Sequence, residues 1–170
     1  MAQPCRQSGP ICYREDVRPG DREGVREIIA SSGFFSQDEV AIAVELVDAH
    51  LARGHLSGYD FIFAEQMGNM LGYACFGRIP ATVASYDLYW IAVRQSYRGL
   101  GLGTHLLRLS EDRVAQQGGR RLYVETSSRP LYAPTHAFYQ AHGYRQAAIL
   151  DDYYAPGDGK VINVKVFLEP

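Results

Sequence analysis

The spacing of apolar positions changes several times along the chain, and each change marks an element. Ile11 to Arg14 reads as a short strand. From Asp21 to Ser31, Val25, Ile28 and Ile29 fall at helical spacing, with a stop near Gly33. A second helix carries fuller signals: Ser36 and Glu39 form a capping box, Val40, Val44, Val47 and Leu51 follow one face, and Gly54 ends it. The pattern then turns to strands. Asp60 to Gln66 and Met70 to Ile79 flank Met67-Gly68-Asn69, which predicts a hairpin. Tyr86 to Val93 is a third run rich in aromatic and β-branched residues.

A helix is predicted from about Leu100 to Gln117, with Leu106, Leu107 and Val114 on one face and Gly118-Gly119 as its stop. Arg121 to Thr126 follows as a strand, and Pro134 to His142 as a short helix ended by Gly143. Tyr144 to Leu150 and Lys160 to Leu168 form a closing hairpin around Pro156-Gly157-Asp158-Gly159. The resulting order is β-α-α-β-β-β-α-β-α-β-β. It predicts an α/β (α+β) fold with a mixed, mostly antiparallel sheet of about seven strands and about four helices on both faces. No repeat or linker divides the 170 residues. Residues 1–10 are expected to be a flexible tail and residues 11–170 a single domain.

The densest chemical signal lies where the third long strand gives way to a helix. Gly99, Gly101 and Gly103 alternate there. Lacking a Cβ, they let the backbone approach a ligand and adopt positive φ. The first amides of the following helix have no intrahelical acceptor, and the helix dipole favours negative charge beside them. Together these features predict a pyrophosphate cradle, to which Arg94 and Arg98 can add charge-assisted contacts. A Walker A loop is excluded, because Gly103-Thr104-His105 lacks its lysine. A dinucleotide fingerprint fits less well, since the third glycine comes one residue early, although Glu125 lies at a suitable distance for its acidic residue.

The run Val93-Arg94-Gln95-Ser96-Tyr97-Arg98-Gly99-Leu100-Gly101-Leu102-Gly103-Thr104 resembles the acetyl-CoA signature of the GCN5-related N-acetyltransferases. Arg98, Gly101 and Gly103 meet its Arg/Gln-x-x-Gly-x-Gly/Ala core, and the order of elements is similar to the family fold from Ile11 to Leu168. The resemblance implies an acetyl-CoA-dependent N-acetyltransferase that moves acetyl to a primary amine by direct attack in a ternary complex. It further implies that Arg98, Gly99, Leu100, Gly101, Leu102, Gly103 and Thr104 bind coenzyme A, with backbone groups of Ile91, Ala92 and Val93 along its pantetheine arm.

Such a transfer calls for a base, an electrostatic stabiliser and an acid. The segment Phe138-Tyr139-Gln140-Ala141-His142-Gly143-Tyr144 resembles the family stretch whose tyrosine faces the sulfur, which implies Tyr139 as the acid and a cofactor contact. Glu125 resembles the glutamate on the Leu-x-x-Glu strand of ribosomal-protein alanine acetyltransferases and is implied as base; a hydrogen-bonding strut between two elements is the competing reading. On the acceptor side, Phe34 and Phe35 are candidate pocket walls, and Tyr89 in the Tyr86–Trp90 run fits either the core or that wall. Tyr153 and Tyr154, close to Asp151, Asp152 and Asp158, suit a cationic amine. The closing hairpin also has a short similarity to peptide α-amine acetyltransferases.

Composition narrows the rest. Hydrophobic residues at 46% and charged ones at 21% fit a globular protein, and a net charge of -2 argues against nucleic-acid or membrane partners. Cys5, Cys12 and Cys75 form no Cys-x-x-Cys pair, so no disulfide framework or metal is expected; free thiols, no apolar span and no signal segment predict a cytoplasmic protein. His136 and His142 are expected to be solvated or capping residues. The partner is a small-molecule amine or a peptide N-terminus, and a homodimer is expected if the terminal strand Lys160 to Leu168 is an edge. Two other classes stay open: a non-catalytic acyl-CoA sensor and a dinucleotide-dependent oxidoreductase.

Overall fold

A computed structural model describes residues 9–167. Cys5, most of the expected tail and the last residues of the terminal strand lie outside the described residues. The elements follow the predicted order: β1 (Cys12–Arg14), α1 (Asp21–Ser31), α2 (Gln37–Arg53), β2 (Asp60–Gln66), β3 (Asn69–Arg78), β4 (Ser85–Val93), α3 (Leu102–Gln116), β5 (Arg121–Ser127), α4 (Ala133–Ala141), β6 (Arg145–Ala155) and β7 (Asp158–Val166). The seven strands form one sheet in the order β1-β2-β3-β4-β5-β7-β6.

The fold divides into two compact units, residues 9–75 with Trp90–Ser110 and Phe76–Tyr89 with residues 111–167. In the first unit, α1 begins at Asp21, whose carboxylate holds the Arg14 guanidinium at 2.5 Å; Glu65 on β2 takes the same guanidinium at 2.6 Å. One arginine thus ties β1, α1 and β2 together. Val25, Ile28 and Ile29 of α1 are fully buried, as are Phe63, Tyr73, Leu106 and Leu107. Each such aliphatic side chain contributes roughly 1.5–3 kcal/mol on burial. On α2 the capping box forms in full: Glu39 N–H donates to Ser36 Oγ at 3.2 Å, and Ser36 N–H donates to Glu39 Oε2 at 2.7 Å. Met67 and Gly68 both adopt positive φ (51° and 78°), the backbone that a two-residue hairpin between β2 and β3 requires.

In the second unit, β4 pairs parallel with β5 from Ser85↔Arg121 to Leu88↔Val124, as the strand–helix–strand order predicts. The closing hairpin departs from expectation. β7 is not an edge: it lies antiparallel between β5 and β6, so the expected dimer strand is already paired on both sides. The edge strand at this end of the sheet is β6, which also runs further than the predicted Leu150, to Ala155.

Gly72 on β3 has a steric duty. A Cβ built there falls 2.8 Å from the Ala92 carbonyl oxygen and 3.3 Å from Val93 Cα, both backbone atoms of β4. Gly72→Ala is therefore expected to cost about 1–3 kcal/mol by overpacking. A lowered urea midpoint at unchanged slope would show it, and a wild-type midpoint would refute it.

Candidate active site

At the end of β4 the chain makes a 3-10 turn over Gln95–Tyr97 and enters the glycine run. Gly99 and Gly101 hold φ of +74° and +81°, which side chains rarely tolerate, and nothing lies within 4 Å of a Cβ built on either. Backbone in this conformation, bare on one side, can lie against a ligand. Gly103 differs from expectation, because it sits inside α3 and needs no special φ. His105 N–H makes the first helical bond, to Gly101 O at 3.0 Å, so the amides of Leu102 and Gly103 precede the first intrahelical donor. Of the two expected cations, Arg94 is engaged by Glu27 at 2.9 Å and donates through Nε to Met70 O at 3.1 Å. Arg98 is exposed and donates through Nε to Val93 O at 3.3 Å, and its guanidinium lies over the Phe34 ring at 5.4 Å.

The remaining predicted residues of this unit gather nearby. Phe35 meets Trp90 edge-on at 5.0 Å. Ile91, Ala92 and Val93 are half-buried on β4 and lie outside its ladder with β5, which stops at Leu88↔Val124. Arg94 N–H donates to Leu71 O at 2.7 Å, fixing the end of the strand against β3.

In the second unit, Glu125 is not alone. Lys160 Nζ lies 2.5 Å from Glu125 Oε2, with the lysine side chain 11% exposed and the glutamate 45%. The same ammonium stands 3.9 Å from the Tyr153 ring centroid and 5.8 Å from that of Tyr154. The two tyrosines, expected beside aspartates, thus flank a lysine. Asp87 is the fifth member. Alternation and the register Asp87↔Tyr123 put it on the same face as Tyr123 and Glu125, and Tyr89 follows it on that face of β4. Burial, then the Glu125 charge, push the Asp87 carboxyl up to about 6, while Lys160 pulls it down.

Tyr139 is 2% exposed and packs edge-on against Phe138 and Tyr144. Burial raises its pKa well above the ordinary value, so the phenol keeps its proton at neutral pH. His136, expected to be solvated or capping, instead joins α4 to β5: its Nε2 is 2.9 Å from Thr126 Oγ1 and 3.1 Å from Ser127 O. That tie fixes the helix carrying Tyr139 against the strand carrying Glu125. His142 does cap α4.

The sequence profile of the acetyltransferase (GNAT) family matches residues 25–144. The chain belongs to the GNAT family. An N-alpha-acetyltransferase of Sulfurisphaera tokodaii is 29% identical over 116 residues, 61% of this chain and 68% of that protein. A GNAT-family structure from Desulfovibrio desulfuricans superposes with a TM-score of 0.91 at 43% identity, covering 92% of this chain and 99% of that one. An aminoglycoside 6'-N-acetyltransferase complexed with coenzyme A shares the fold, at 16% identity and a TM-score of 0.72 over 95% of this chain and 99% of that one.

This GNAT protein is an acetyl-CoA-dependent N-acetyltransferase, and the sensor and oxidoreductase alternatives are not favoured. The glycine run fits a coenzyme A pyrophosphate, because Gly99 and Gly101 leave their backbone uncovered and α3 begins immediately after. Among the described residues, no helix is long and apolar enough to cross a membrane.

Sequence reasoning missed Asp87 and Lys160. An aspartate inside Tyr-Asp-Leu-Tyr-Trp is the same signal that drew attention to Glu125. Lys160 is one of two lysines in the chain, both on β7. Its partners, however, become neighbours only through strand register.

Gly101→Val would force a β-branched residue to φ near +81°. Affinity for acetyl-CoA, measured by calorimetry, is expected to fall about five- to 150-fold, the equivalent of 1–3 kcal/mol of backbone strain. Unchanged affinity would remove the loop from the cofactor site.

Proposed function

We propose that the acceptor amine arrives as an ammonium at the face carrying Asp87 and Glu125, that Asp87 takes its proton, and that Tyr139 protonates the departing thiolate. Acetyl-CoA supplies an activated acyl group: the amine nitrogen bonds to the acyl carbon as the carbon–sulfur bond breaks, and the second proton that the nitrogen sheds on becoming an amide restores the Tyr139 phenol, in one ternary complex with no covalent enzyme intermediate. Arg98 and the Gly99–Thr104 backbone would hold the pyrophosphate, and Ile91, Ala92 and Val93 the pantetheine arm.

The observation that carries this reading is the convergence of Asp87 and Glu125 on one face of adjacent strands, with burial raising the Asp87 carboxyl to about 6. A base works best when its pKa lies close to the working pH, and Asp87 is the carboxyl moved there. Glu125, expected from the sequence as base, then acts beside it, raising Asp87 by its charge while engaged by Lys160. Burial keeps the Tyr139 phenol protonated at neutral pH, so a proton is present for the departing thiolate, and the raised pKa makes it a weak acid. Phe34, Phe35, Tyr89, Tyr153 and Tyr154 are assigned to the acceptor side. The free thiols Cys12 and Cys75 fit a reducing compartment such as the cytoplasm.

The sign of the pH dependence follows from the raised Asp87 value. Asp87 is a carboxylate only above about 6, so kcat/KM should climb with pH through that value and level off above it. Asp87→Asn should remove that limb and lower turnover roughly 10²-fold. The favoured protonated form contributes to stability below the ordinary aspartate pKa, and that contribution is lost as pH rises through about 6. The amide variant should therefore be at least as stable as wild type at pH 7. A wild-type pH profile in Asp87→Asn would sink the assignment.

Tyr139→Phe deletes one hydroxyl from a packed position and leaves the ring contacts in place. Turnover is expected to fall roughly 10²-fold while acetyl-CoA affinity stays near wild type. Full activity in this variant would take Tyr139 out of the reaction.

A further inference from the structure

Three strands bring charge to one face of the second unit. Asp87 on β4 stands opposite Tyr123, and Glu125 is two residues further along β5. Glu125 pairs with Ile162 on β7, and Lys160, two residues before Ile162, projects from the same face. Its ammonium is held by Glu125 at 2.5 Å and by the Tyr153 ring at 3.9 Å. A carboxylate and an aromatic face are the groups by which a protein recognises a foreign ammonium. Here they hold one that belongs to the chain itself.

That arrangement is built. Between Leu150 and Ala155 the β6–β7 register slips: five steps on β6 face two on β7, from Lys160 to Asp158. The surplus is a bulge containing Tyr153 and Tyr154. Asp152 turns it with φ of +54°, and its Oδ1 accepts from Gly157 N–H at 2.7 Å. The bulge carries both rings to Lys160.

The charges on this face can be counted. Asp158, the next carboxylate along β7, is taken up by Arg129 at 3.2 Å and by the Ser127 hydroxyl. Asp87 and Glu125 bring two negative charges and Lys160 one positive. The face is one cation short.

We propose that Lys160 is the specificity-determining residue of the acceptor site: its ammonium fills the cation position beside Glu125 and Tyr153, so the enzyme takes amines whose reacting nitrogen is their only cation, such as peptide α-amines with uncharged neighbours, and rejects diamines and polyamines. The inference rests on the assignment of this face to the acceptor. One incoming ammonium completes the charge balance with Asp87. A second cation on the same molecule meets Lys160 where it would otherwise meet a carboxylate and a ring.

The test compares kcat/KM for the α-amine of a neutral dipeptide amide with that for 1,4-diaminobutane, in wild type, Lys160→Met, Lys160→Gln and Lys160→Arg. Removing one partly screened like charge should raise the diamine-to-dipeptide ratio about tenfold in the Met and Gln variants. The Arg variant, which keeps the charge, should stay near wild type. An unchanged ratio in a folded Met or Gln variant, or a wild-type enzyme that prefers the diamine, overturns the inference and leaves the acetyltransferase reading standing. If wild type acetylates neither amine, the comparison moves from turnover to binding. Calorimetric binding of 1,4-diaminobutane then decides the role of Lys160: tighter binding to Lys160→Met than to wild type supports it, and equal binding overturns it.

Discussion

The ammonium of Lys160 sets the electrostatic character of the face that carries Asp87 and Glu125. Two carboxylates projecting from adjacent parallel strands repel each other, and both lose hydration where the sheet is half covered. Lys160 relieves that repulsion unequally. It sits against Glu125 at 2.5 Å, whereas Asp87 feels it more weakly than it feels burial and the Glu125 charge. One carboxylate is thereby tied into an ion pair, and the other is left poised near 6. The two carboxylates, alike in functional group, differ in setting: Glu125 is paired with Lys160, whereas Asp87 is raised first by burial and then by the Glu125 charge.

The glycine run works by shape more than by charge. Arg94, one of the two arginines flanking it, is spent on Glu27 and a backbone carbonyl. What the run offers an anion is bare backbone at Gly99 and Gly101, followed by the amides of Leu102 and Gly103 at the start of α3. Such a site needs no positive whole-protein field, in keeping with a net charge of -2. It also explains why the motif is readable in sequence: only glycine meets the φ requirement at positions 99 and 101.

Legibility follows the range of the interaction that decides each feature. The capping box of Ser36 and Glu39, the Met67-Gly68 turn and the buried faces of α1 and α3 are each decided within a single element or turn, and the pattern of apolar and turn residues announced them; the parallel step from β4 to β5 joins residues as distant as Ser85 and Arg121, and the strand–helix–strand order announced it. The insertion of β7 between β5 and β6 is decided by pairing at long separation, which periodicity does not encode. The same holds for the candidate site. Gly99, Gly101 and Tyr139 stand in recognisable segments, and Glu125 is conspicuous inside an apolar strand. Asp87 was equally conspicuous, but its significance depends on the Asp87↔Tyr123 register. Lys160 became meaningful only when Glu125↔Ile162 placed it beside Glu125. Tyr153 and Tyr154 are exposed, and the bulge that turns them toward lysine has no glycine to announce it, since Asp152 itself adopts the positive φ.

That bulge joins the architecture to the chemistry. β6 is a long edge strand with nearly every side chain exposed, including Ile149 and Leu150, and a regular edge of this kind invites pairing with another chain. A bulge bends the strand and interrupts its ladder at the Leu150–Ala155 step. The interruption falls where the sheet faces Lys160, so the irregularity that breaks the edge also supplies the aromatic walls around the ammonium. A straight β6 would alternate its side chains across the sheet and send Tyr153 and Tyr154 to opposite faces. Both reach the same lysine because the strand is broken there, and the strained Asp152 backbone is the local cost of bringing them together.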